Sequence, residues 1–138
     1  MRKTYELPGI PISWKSHQGF GKRSFNPRYK EKRRSQHQLK LQHNTPSPVP
    51  LFNSKVRVDF QFEVPIPKSL PKSLQQAIRN GKKVYCSKRP DTTNYIKHIE
   101  DAMVNTVLVD DNIVCKISAE KYYSFFPKVI IHVEELED

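Results

Sequence analysis

Between Lys55 and Val64 (KVRVDFQFEV) every second residue is apolar: Val56, Val58, Phe60, Phe62 and Val64. A period of two sends successive side chains to opposite faces of an extended chain. The segment is therefore predicted to be a half-buried strand. Such a strand needs partner strands at its sides and a layer of other elements over its apolar face, so it constrains the rest of the chain. Pro65, Pro67 and Pro71 end it, because proline cannot donate to a strand ladder.

The remaining pattern supplies those partners. Lys3–Leu7 reads as a first strand, broken by Gly9, Pro11 and Ser13 into an extended loop, PGIPISWKSHQGFGKR. From Arg28 to His43 the spacing of Tyr29, Arg33, Gln36 and Lys40, with Leu39 and Leu41 beside them, predicts a helix poor in apolar residues. Asn44–Pro50 is a Pro/Ser linker. A second helix is expected from Lys72 to Asn80, with Leu74, Ala77 and Ile78 inward and Gly81 as its stop. Lys83–Ser87 reads as a short strand. A third helix runs from Asn94 to about Val107, with Ile96, Ile99, Met103 and Val107 as its apolar stripe and Asn94, Lys97, His98 and Asp101 on the other face. Ile113–Ile117 and Lys128–Val133 read as strands joined through Tyr122, Tyr123, Phe125 and Phe126, and the terminal EELED as a frayed acidic end. The expected fold class is mixed α+β (α/β in the broad sense): one small mixed sheet with helices packed on it, in a single domain of 138 residues.

Charge is distributed unevenly. Residues 1–54 carry 11 Lys/Arg against 2 acids, and residues 55–138 carry 13 against 12, so almost all of the +10 net charge lies in the first part. A basic part that draws in a polyanion, beside a part that gathers its acids, suits a nucleic-acid enzyme. A solvated face or a disordered basic tail would look the same by charge alone. Trp14, His17, Phe20, Lys22 and Arg23 mix aromatic and basic groups in the first loop, which suits stacking on unpaired bases or simple anchoring of the loop to a core. No apolar run is long enough to span a bilayer, and Glu6 and Pro8 interrupt any leader-like stretch. A soluble cytoplasmic protein without membrane or small-molecule cofactor is expected. Cys86 and Cys115 are isolated, which points away from zinc and from a disulfide framework.

Chemistry concentrates between Lys88 and Asn112 (KRPDTTNYIKHIEDAMVNTVLVDDN). Pro90 favours an extended Arg89, so Asp91 is expected just before a helix that Thr92 or Thr93 caps. Asp110 and Asp111 follow the helix, and a strand from Ile113 could run back toward Asp91. Carboxylates gathered together repel one another, and Mg²⁺ or Mn²⁺ relieves that repulsion. Such an ion polarises a phosphate and activates water, while Lys97 can neutralise developing charge. The plainer reading is an N-terminal cap at Asp91, an (i, i+4) surface pair of Lys97 and Asp101, and a turn at Asp110–Asp111.

The run RPDTTNYIKHIEDAM…VDDN resembles the RusA family of Holliday junction resolvases. Asp91, Asn94 and Lys97 match its Asp, Asn and Lys, Asp101-Ala102 its Asp-Ala pair, and Asp110-Asp111 its closing acids. The opening LPGIPISWK and the alternating strand fit as well. The resemblance implies a Mg²⁺-dependent endonuclease, active as a homodimer on four-way or branched DNA in recombination and repair. It implies Asp91 and Asp111 as catalytic metal ligands with Asp110 beside them, Lys97 as the catalytic lysine, and Asp101 as a ligand or an orienting group. The family's second acid is Thr93 here, which removes one formal negative charge; Asp101, Asp110 or Glu100 is expected to compensate. The alternative is a non-catalytic nucleic-acid-binding protein with a degraded metal site. Substrate contacts are expected from Lys15, Lys22, Arg23, Arg28, Lys30, Arg33, Arg34, Lys82, Lys83, Lys88, Arg89 and Lys97.

Overall fold

Four strands form one sheet in the order β1-β4-β2-β3, with the alternating segment as an interior strand. The structure is a computed structural model and describes residues 1–16, 19, 25–43 and 50–137. Its elements are β1 (Arg2–Pro8), α1 (Tyr29–Leu41), β2 (Val56–Pro65), α2 (Lys72–Arg79), α3 (Thr92–Met103), a 3-10 turn (Asp111–Ile113), β3 (Val114–Ser124) and β4 (Lys128–Glu135). The expected mixed sheet with packed helices is observed: β4 is antiparallel to both β1 and β2, and β3 is parallel to β2.

The alternation in β2 has the predicted consequence. Val56, Val58, Phe60, Phe62 and Val64 are all buried. They meet Tyr5 and Leu7 of β1, Val129, Ile131 and Val133 of β4, and Tyr95, Ile99, Ala102 and Met103 of α3 in one core. Truncating Phe60 to alanine there would cost about 3–5 kcal/mol. On the opposite face the β2 residues are polar, and Asp59 pairs with Arg57 and accepts a hydrogen bond from Ser118 of β3.

Three elements differ from the sequence expectation. The strand expected at 113–117 is a 3-10 turn followed by a much longer strand, and Tyr122 and Tyr123 belong to that strand. The residues joining β3 to β4 are only Phe125–Pro127, and they cross the end of β2. Two strand spacings are about 10 Å, which three extended residues can span. Lys83–Ser87 makes a single bridge, Tyr85 to Tyr122, against the outer edge of β3. Finally, α3 starts two residues earlier than expected and ends at Met103. Thr106 ends it by donating its hydroxyl to the carbonyls of Ala102 and Met103, next to Asn105 in the left-handed region (φ 67°).

Helix α1 packs on α3 with few apolar groups, burying Ser35 and Leu39 while Leu41 is 70% exposed. His98, expected on the polar face of α3, is only 2% exposed and shares a 3.2 Å hydrogen bond with Ser35. The acidic end is not frayed through its length: Glu134 and Glu135 lie in β4, and Glu135 holds the N-terminal amine at 3.1 Å. Among the described residues no helix is long and apolar enough to cross a membrane.

Candidate metal centre and nucleic-acid interface

Helix α3 divides the predicted acids into two groups. Asp91 occupies the N-cap position, its carbonyl accepting from the amides of Asn94 and Tyr95 while its side chain makes no capping bond. Its carboxylate is exposed at the positive end of the helix dipole. The helix thus begins at Thr92, and neither threonine is the cap. Asp101 lies near the other end, along with Glu100, Asp110 and Asp111. Twelve residues of helix rise about 18 Å, so one chain keeps Asp91 well apart from Asp110–Asp111.

The second group is electrostatically coupled. Asp110 accepts a 2.7 Å hydrogen bond from the backbone amide of Asp111. The Asp110 carboxylate, by hydrogen bonding and by its charge, raises the pKa of the Asp111 side chain, with a further contribution from Asp101. Burial raises Glu100, and the charges of Asp111 and Asp101 add to it. Mutual repulsion of this kind is what a divalent cation relieves. Among the described residues no group of three or more His, Cys, Asp or Glu is close enough to hold a metal ion by itself. Mg²⁺ ordinarily needs only one or two carboxylates, with water and substrate phosphate completing its shell. Asp110 and Asp111 supply two adjacent exposed carboxylates at this end, within electrostatic reach of Asp101; Asp91 lies at the other end of the helix. Glu100 belongs to this end too, with Asp101 and Asp110.

Lys97 is exposed on α3, with its ammonium 4.9 Å from the centre of the Trp14 ring. The backbone amide of Trp14 donates to the Asn94 carbonyl at 2.8 Å, which fixes the loop on the first turn of the helix. Trp14 therefore anchors its loop and borders the lysine at once. Phe20, His17, Lys22 and Arg23 lie outside the described residues.

The approach to Asp91 is held by a residue that sequence reasoning passed over. The Lys121 ammonium donates to the carbonyls of Lys88 (2.6 Å) and Pro90 (2.8 Å). Its register opposite Phe62 puts it on the core-facing side of β3, and a lysine at such a position is the signal that could have marked it, since its charge must reach a partner. The expected return of this strand toward Asp91 is thus observed, although it brings Lys121 there and leaves Asp111 at the far end. The Arg89–Pro90 bond is cis.

The expected DNA contacts are spread over several elements. Lys15, Lys30, Arg33, Arg34, Lys82, Lys83, Lys88 and Arg89 are exposed and Arg28 is half-buried. Lys83 is engaged by Glu120 at 2.8 Å, and Arg33 donates to the Tyr29 hydroxyl. Arg28, at the start of α1, lines the same cavity as Lys88 and Arg89, a grouping of cations from distant parts of the chain that lies beside Asp91.

Comparison with known families matches residues 13–134 to the endodeoxyribonuclease RusA model, nearly the whole chain and every site residue above. The chain belongs to the RusA endodeoxyribonuclease family. A curated relative, the "Uncharacterized protein YqaN" of Bacillus subtilis (strain 168), is 28% identical over 90 residues. That match covers 64% of this chain and 63% of the relative's length. The matched range takes in Asp91, Thr93, Asn94, Lys97, Asp110 and Asp111.

Proposed function

We propose that this protein is a structure-selective endodeoxyribonuclease that cuts four-way DNA junctions by paired phosphodiester hydrolysis, with Mg²⁺ as its metal (Mn²⁺ as a substitute) and as a homodimer. The observation that carries the reading is the RusA match over residues 13–134. The repelling carboxylates at the end of α3 and the exposed Lys97 on the same helix support it. Asp111 and Asp110 would hold the metal, with Asp101 as a further ligand or as the group that orients one. Bound there, Mg²⁺ would polarise the scissile phosphate and acidify an attacking water. Lys97 would neutralise charge on the phosphate oxygens, with the Trp14 ring limiting where its ammonium can go. Lys88 and Arg89 would hold the backbone next to Asp91.

The distance along α3 bears on the dimer. A junction has near two-fold symmetry, which a two-fold dimer matches. In such a dimer the Asp91 end of one protomer and the Asp111 end of its partner can serve one phosphate, which a single chain cannot arrange.

The test is cleavage of a labelled synthetic junction with Mg²⁺, Mn²⁺ or EDTA. Paired, metal-dependent nicks are expected, lost in Asp111→Asn and in Asp91→Asn while junction binding persists. An equimolar mixture of these two variants should regain part of the activity if protomers share sites. Tight binding without nicks in either metal would make the protein a junction-binding module instead.

A further inference from the structure

Residues 64–90 carry seven Lys/Arg and no Asp or Glu. All seven cations are exposed. A run of one sign is by default a solvated face, but this one borders open aromatic rings. Phe126 is 79% exposed, Tyr85 63% and Phe125 37%. A phenylalanine left in water forgoes the burial it ordinarily brings to a fold, and apolar surface rimmed by charge marks a contact site.

The fold holds these groups in a defined arrangement. The turn after β3 is pinned at both ends: the Phe126 amide donates to the Ser124 hydroxyl at 3.0 Å, and the Gly9 amide donates to the Pro127 carbonyl at 3.1 Å. Arg79, in the last turn of α2, places its guanidinium 4.7 Å from the centre of the Phe125 ring. Arg79, Lys82, Lys83, Phe125 and Phe126 line a groove of ≈ 600 Å³. At Ser124 and Phe125 this groove meets a second hollow, which carries Lys68. At Pro65 and Pro67 that hollow meets the cavity of Lys88 and Arg89. A basic path with apolar surface along it therefore runs from the approach to Asp91 out to Phe126. The acids at its border are engaged: Glu120 lies 2.8 Å from the Lys83 ammonium, and Glu63 4.0 Å from that of Lys128.

Charge complementarity calls for a polyanion, and the rings decide which form. A duplex offers phosphates to the cations, but its bases are stacked inside and leave Phe126 uncovered. An unpaired strand offers phosphates and base faces together, which is what a basic groove with exposed aromatic rings takes. We propose that this groove holds a single-stranded arm leaving the branch point, with one base stacked on Phe126 and its phosphates at Arg79 and Lys82. The proposal rests on the reading of the protein as a branched-DNA nuclease. It extends the substrate class from fully paired four-way junctions to branched DNA with one unpaired arm, whose paired part reaches Asp91 past Lys88 and Arg89.

The experiment compares a labelled four-way duplex junction with the same junction in which one arm is single-stranded for about ten nucleotides. Both are titrated without metal with the wild type, Phe126→Ser and Phe126→Trp. The wild type should bind the single-stranded-arm form about tenfold more tightly. Phe126→Ser should lose that preference while binding the duplex junction within about twofold of the wild type, and Phe126→Trp should keep the preference, because its ring still stacks. Abasic nucleotides along the arm should cost the wild type the same factor of about ten and cost Phe126→Ser nothing further, since both remove one interaction. Phe126 is largely outside the core, so the Tm of each variant should match that of the wild type. Equal affinity of the wild type for the two DNAs would overturn the proposal, as would a preference that survives in Phe126→Ser. A Phe126→Ser protein that sediments as a smaller species than the wild type would make the patch a subunit contact and would overturn it too. In each of these cases the nuclease reading stands. A wild type that neither cuts the duplex junction nor binds it above linear duplex would remove both.

Discussion

The ammonium of Lys97 sits 4.9 Å from the centre of the Trp14 ring, joining a loop near the N-terminus to α3. Cation–π contacts are worth about 0.5–2 kcal/mol. If this one places the lysine for charge neutralisation, Trp14→Ala should slow junction cleavage by roughly 2- to 30-fold. Binding should change less, because the phosphate contacts remain. Equal losses in rate and in affinity, measured by single-turnover cleavage and by titration without metal, would mean that Trp14 contacts the DNA itself.

Lys121 ties β3 to the carbonyls on either side of Arg89. Hydrogen bonds from a charged donor contribute about 1.5–3 kcal/mol when well sheltered, and less at this half-exposed site. Lys121→Met is expected to lower stability by about 1–2 kcal/mol in chemical denaturation. It should also raise the exchange rate of the amides from Ser87 to Asn94. Unchanged exchange there would show that the proline-bounded turn holds Asp91 without the lysine.

The carboxylates of Asp110, Asp111, Asp101 and Glu100 give a prediction about cations that does not depend on DNA. The raised pKa values of Glu100, through burial and then the charges of Asp111 and Asp101, and of Asp111, through the hydrogen bond and then the charge of Asp110, mean that the fold disfavours their ionised forms relative to the unfolded chain. Mg²⁺ or Mn²⁺ should therefore raise the Tm of the wild type, and Asp111→Asn should be at least as stable as the wild type without metal and gain less from it. Thermal scans with and without the ions check both. A gain undiminished in Asp111→Asn would place the cation elsewhere.

His98 confers acid sensitivity. Burial between α1 and α3 lowers its pKa from 6.5 to about 4, against the opposing charges of Asp101 and Glu31. The folded state therefore favours the neutral ring, and the unfolded chain takes up the proton first as pH falls. Stability from this residue is complete above about 6.5 and is lost progressively down to about 4. The loss should be on the order of 2–3 kcal/mol, partly offset by Glu100 and Asp111, whose protonation favours the fold over the same acid range. Urea midpoints from pH 7 to pH 4.5 should fall steeply for the wild type and less for His98→Gln.

Where residues interact with near neighbours, the sequence alone was sufficient. The period-two run of β2 marks an interior strand because every other side chain must leave water, whatever covers it. Helices α1 and α2 and strands β1 and β4 follow from spacing and from Pro and Gly punctuation in the same way, and the Asp, Asn and Lys pattern of the RusA family is a matter of order along the chain. What depended on contacts across the chain was decided only by the tertiary structure. His98 looks polar in a helical projection, but α1 lies over it. Lys121 looks like another surface cation, but the register with β2 points it beneath the loop before Asp91. Asp91 and Asp111 look like one site in the sequence, yet a regular helix of twelve residues holds its two ends apart.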